Sequence, residues 1–220
     1  LAGMLRTDTG SLTAMALYPT NGEIVSVVDL VTSMALDNSG PDAFIVGGLE
    51  LTDGAALNAY VMRVNALYST VLWCLRYRAV TQAPEVNEEH RKLRSVAPSY
   101  SVARGVVLTD SNLYLIIDHT RANVTSLVMM KVRAVDGVIV KKVLIKAGNA
   151  SMQCTDIATA GSFFTIACVV ESADENDQHS VLIYVNEKLS FETLPPGFTR
   201  STDSVFELEA VPFKRSVVAV

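Results

Sequence analysis

Cysteine is scarce in this chain. Cys74, Cys154 and Cys168 are its three copies, too few for a miniprotein built on disulfides and at spacings that match no zinc motif. Long apolar runs are missing too. None approaches the ~18–20 residues that carry a helix across a bilayer, so membrane insertion is not expected. Basic charge is also short. Lys and Arg total 18 against 23 Asp and Glu, a net charge of −5, whereas a nucleic-acid partner calls for a basic face. The one dense basic stretch, His90-Arg91-Lys92-Leu93-Arg94, follows Glu85, Glu88 and Glu89 and reads as a solvated loop or a short surface helix. The chain opens at Leu1 without the charged segment and apolar core of a leader, as expected of a processed chain or of a piece of a longer one. Catalytic signatures are thin as well. There is no Gly-rich phosphate loop, no nucleophile elbow and no His-rich metal spacing, so no enzymatic activity, cofactor or metal is expected.

What is present is apolar. Half of the residues are hydrophobic and 19% are charged, which excludes a largely disordered chain. A length of 220 residues is enough to bury a sizeable core in one domain. Helical periodicity is nearly absent, and short runs rich in Val, Ile, Leu, Tyr and Thr alternate with turn residues, the pattern of an all-β fold.

The runs repeat. One hairpin pairs Ala59 to Val64 with Val71 to Tyr77. Another pairs Leu127 to Val132 with Val138 to Ile145 across Asp136-Gly137. A third pairs Val181 to Val185 with Leu189 to Leu194 across Asn186-Glu187-Lys188, and a fourth pairs Leu12 to Tyr18 with Ile24 to Leu30 across Asn21-Gly22. Asn-Gly and Asp-Gly are strong hairpin signals because both residues tolerate positive φ. A second hairpin precedes each of three of these: Ser33–Leu36 with Phe44–Leu49, Gly105–Leu108 with Leu113–Ile117, and Cys154–Ala158 with Phe163–Val170. Another, Val205–Val211 with Ser216–Val220, ends the chain. Each unit is thus four strands (a to d) over roughly 50 residues, the content of a β-propeller blade.

The expected architecture is one propeller domain of four-stranded antiparallel blades. Strands c and d of a split blade cover 11–30, and whole blades cover 31–80, 102–147 and 150–199. An insertion covers 81–101, and strands a and b over 203–220 complete the split blade. Closure by both termini would remove open sheet edges. A fragment of a larger ring is the alternative. The second strands read as continuous apolar runs, as expected of strands covered on both faces.

Asp42-Ala43-Phe44-Ile45-Val46-Gly47-Gly48, followed by Ala59 to Val64 and Val71-Leu72-Trp73, resembles a bacterial-type β-propeller repeat, in which a Trp opens the last strand. The resemblance covers Val31 to Ala79. Elsewhere Ile139 and Phe191 stand near the Trp position and the Gly pair is absent. It implies a fold and no particular activity.

Strand alternation sends the tight turns to one end of the sheets. The longer connections go to the other: 81–101, 50–58, 119–126 and 171–179. Long loops on a rigid frame are where binding usually resides. Two N-glycosylation sequons, Asn123-Val124-Thr125 and Asn149-Ala150-Ser151, fall at that end. Cys154 and Cys168 lie equally far from Gly161, so a hairpin places them opposite each other and predicts a disulfide, with Cys74 left as a buried thiol. Arg104, Asp156, Glu207 and Glu209 are candidate channel-lining residues on innermost strands. Asp118-His119 reads as a polar loop start rather than half of a catalytic pair. His90, His119 and His179 read as solvated loop residues, and Asp174-Glu175-Asn176-Asp177 reads as a solvated turn rather than a calcium loop. The function expected is a secreted structural or interaction module with protein partners or self-assembly. A carbohydrate-acting propeller enzyme or lectin is the alternative.

Overall fold

The computed structural model describes residues 2–5, 12–17, 29–49, 58–65, 70–80, 99–121, 123–172, 178–191, 194–201, 207–212 and 218–219. These residues form antiparallel β-sheets, with no helix among them. The first sheet runs β3 (Asp29–Leu36), β4 (Asp42–Leu49), β5 (Asn58–Asn65) and β6 (Thr70–Val80), with β15 (Glu207–Pro212) added beside β6. The second runs β7 (Ser99–Thr109), β8 (Asn112–Arg121), β9 (Val124–Arg133) and β10 (Ile139–Ala147), with β14 (Phe198–Ser201) beside β10. The third comprises β11 (Ser151–Ala160), β12 (Phe163–Glu171) and β13 (Gln178–Asn186). The fourth joins β1 (Ala2–Leu5), β2 (Leu12–Leu17) and β16 (Val218–Ala219).

The first three sheets stack face to face. Strand β8 shows why its sequence lacks alternation. Leu113, Leu115 and Ile117 pack with Phe44, Val46, Val61 and Tyr77 of the first sheet. Tyr114 and Ile116 point the other way, into a cluster with Met152, Cys154, Ile157, Phe164 and Ile166 of the third. A strand buried on both faces has no polar side to present, so an unbroken apolar run is what its position requires.

The first strand of each stacked unit carries a β-bulge. The register slips at Thr32 in β3, at Arg104 in β7 and at Thr155 in β11. A serine near the start of β7 and another at the start of β11 tie the sheets together. Ser101 Oγ accepts from Ala59 N at 3.0 Å and donates to the Tyr77 carbonyl at 3.4 Å. Ser151 Oγ accepts from Thr125 N at 3.2 Å and donates to the Asn123 carbonyl at 3.3 Å. Hairpin tips dock alike. Trp73 Nε1 and Arg63 Nη1 reach the Ala134 carbonyl at 3.2 and 3.3 Å, while Tyr114 Oη reaches the Glu187 carbonyl at 3.0 Å. In each case a cation from the third strand lies over an aromatic ring of the second, Arg63 over Phe44 and Lys131 over Tyr114.

Several expectations need correction. Among the described residues the third unit has three strands. Beyond β13, the described residues 189–191 contribute a bridge between Val185 and Phe191, and the turn at Asn186 to Ser190 is closed by backbone and side-chain bonds to Asn186 rather than opening into a ladder. At the carboxyl end, β15 pairs with β6 and β16 with β2, so the described parts of the expected 205–211 and 216–220 hairpin belong to different sheets. Strand β2 pairs with β1 and residues 29–30 belong to β3, while residues 24–28 of the expected partner strand lie outside the described residues. The expected pairing between the two termini is present, with Val218 opposite Leu17 and Ala219 opposite Ala16. Closure of the sheets into a ring is not seen among the described residues, and Leu182 and Tyr184 stand exposed on the third sheet.

Candidate functional site

Cys154 and Cys168 are directly opposed across β11 and β12 and form a disulfide, with Cα atoms 3.9 Å apart. Cys74 is a buried thiol in the core on the other face of the first sheet. The sequons lie where strand alternation puts them. Asn123 occupies the turn between β8 and β9 with φ +65°, and Asn149 the turn between β10 and β11; both are exposed and sit at the same end of the second sheet. Ser99 pairs with Arg121 and Ser151 with Glu171, so the connections entering β7 and leaving β12 open at that end too.

The loop expected over 119–126 is mostly strand. Strand β8 runs to Arg121 and β9 starts at Val124, with Thr120 and Thr125 buried and sharing a 2.8 Å hydroxyl hydrogen bond. His119 is accordingly no solvated loop residue but 5% exposed. Neighbouring residues of a strand face opposite ways, and this separates Asp118 from His119. The Asp118 carboxylate turns toward the third sheet, accepts from Cys154 N at 3.0 Å and takes the Arg104 guanidinium at 2.8 Å. Burial raises its pKa, against the pull of the Cys154 N–H and Arg104. His119 turns toward the first-sheet side. The two are therefore not a catalytic pair.

His119 belongs to a groove of about 630 Å³ at the sequon-bearing end. Arg121, Val124, Ser126, Leu144, Lys146, Gly148, Asn149 and the β14 residues Thr199 to Ser201 complete its described lining. The register explains the grouping. His119 and Arg121 alternate with the inward residues of β8, Ser126 is opposite His119, and Lys146 pairs with Thr199. Arg200 pairs with Ile145, so its side chain belongs to the opposite face and it borders the groove from the edge. Burial, with Arg121 and Lys146 nearby, lowers the His119 pKa to about 4. Two cations and a neutral imidazole thus share one surface, and no carboxylate is among the described lining residues.

The four channel candidates do not converge. Arg104 is the bulge residue of β7 and is engaged by Asp118. Asp156 is exposed and accepts from Ile157 N at 2.8 Å, a local cap. Glu207 and Glu209 lie in β15, at the edge of the first sheet opposite β3, not on an innermost strand. His179 is exposed in β13, whereas His90 and the 174–177 stretch lie outside the described residues. Among the described residues no group of three or more His, Cys, Asp or Glu could hold a metal, and no helix is long and apolar enough to cross a membrane. The groove itself was missed from sequence, because β14 joins the second sheet from far downstream, Phe198 pairing with Ala147, and no local signal announces it. No family model, curated protein or solved structure matches the chain.

Proposed function

We propose that the chain is an extracellular, non-enzymatic binding module that presents one end of its stacked sheets to a ligand or partner. The carrying observation is convergence. Both sequons, the basic groove and the entries to the longer connections share one end, while the tight turns at Asp110, Gly137 and Gly161 occupy the other. The Cys154–Cys168 disulfide agrees with an oxidising compartment. On this reading the sheets are blades of a propeller-like ring, with the paired termini as its fourth member; the repeated bulges and serine ties support it.

Of the carbohydrate readings, a lectin is favoured over a hydrolase. Glycoside hydrolysis commonly uses two carboxyl groups about 5–10 Å apart, and the described lining of the groove carries none. The test is glycopeptide mass spectrometry on the chain secreted from eukaryotic cells. Glycan at Asn123 and Asn149 is expected. Secretion with both sites bare, or failure to be secreted with a folded unglycosylated chain retained, would refute the extracellular reading.

A further inference from the structure

Resting on the binding reading above, we infer that the groove between β8, β9, β10 and β14 is a subsite for an acidic saccharide, a sugar unit bearing a phosphate, sulfate or carboxylate group. Charge comes first. Arg121 and Lys146 flank His119, and no carboxylate on the described lining neutralises them. An anion placed between them gains two charge-assisted hydrogen bonds in a partly enclosed site, which are stronger than neutral ones.

Shape and polarity argue for more than a bare ion. The cavity of about 630 Å³ lies in the range of small-molecule sites and is far larger than an inorganic oxyanion fills. Beyond the cations its lining offers hydroxyl groups at Ser126 and Thr199, with Val124 and Leu144 as apolar patches. Alternating hydroxyl-binding and apolar surface is what a sugar ring, polar at its edge and less so on its face, requires. Rigidity is supplied by the scaffold: the groove is built on paired strands, and Ser151 ties the adjacent β8–β9 turn to β11.

The experiment is calorimetric titration of the secreted chain at low salt, before and after an endoglycosidase trims its glycans to single N-acetylglucosamine units. The probes are glucose 6-phosphate, glucuronic acid, glucose and inorganic phosphate. Binding of at least one acidic sugar in the millimolar range or tighter is expected. It should be at least about tenfold better than glucose or inorganic phosphate, and weakened at least about tenfold in Arg121→Gln/Lys146→Gln. Both side chains are exposed, so this variant should keep its melting temperature. No binding of either acidic sugar, equal binding of inorganic phosphate, or unchanged affinity in the folded double variant would each overturn the inference. Such a failure beside occupied sequons would leave the extracellular module reading standing, which separates the two.

Discussion

At the scale of single residues, Cys154 shows how a correct expectation can rest on two compensating details. The two-residue turn is Gly161-Ser162, flanked by the Ala160–Phe163 pair, so an unbroken ladder would set Thr155 against Cys168. The bulge at Thr155 restores Cys154 to that place. It also explains why both Cys154 and Ile157, three apart, are buried on one strand. Equal spacing was legible; the bulge was not. His119 was misread because His-Thr-Arg-Ala-Asn is polar, and polarity alone does not reveal that β8 continues through it as a buried strand paired with β9. Its burial makes a pH prediction. The folded value, about 4, lies below the ordinary 6.5, so the unfolded chain takes the proton first. Stability is then full above about pH 6.5 and falls as pH drops toward 4, by at most roughly 3 kcal/mol. Asp118, raised by burial, acts in the opposite sense, so the comparison is with His119→Gln in urea unfolding across this range. The variant should lack the decline, and identical pH profiles would contradict it. Gly137 makes a second. It has φ +75°, and an added Cβ would lie 2.1 Å from Leu75 Cδ1. Gly137→Ala should cost about 1–3 kcal/mol through strain and overpacking, read as a lowered melting temperature.

At the scale of elements, the serine ties explain how one sheet is fixed on the next. Ser101 is 2% exposed and bridges a β5 N–H and a β6 carbonyl. Ser101→Ala leaves both groups without that bridge and should cost about 1–3 kcal/mol. Ser151 is less buried, so Ser151→Ala should cost less; urea unfolding of the two variants reads the difference. The second-strand runs such as Leu113 to Ile117 were legible because burial on both faces writes itself into composition. The added edge strands β14 and β15 were not, since Phe198–Ser201 and Glu207–Pro212 are short and pair with partners far away in sequence. Nothing in a short run names its partner.

At the scale of the whole molecule, the described residues form three stacked antiparallel sheets and a fourth in which strands from both ends of the chain meet. Pairing of β16 with β2 makes the amino end part of the fold. Deleting residues 1–30 should therefore leave an open edge and promote aggregation, visible by size-exclusion chromatography; a soluble, folded monomer would count against it. The central claim, an extracellular module organised around the sequon-bearing end, depends on the chain maturing in an oxidising compartment with the β11–β12 register described. Non-reducing peptide mapping of the native chain tests both together. The account predicts a Cys154–Cys168 linked peptide pair with Cys74 as a thiol. Thiols at both 154 and 168 in native material would contradict it.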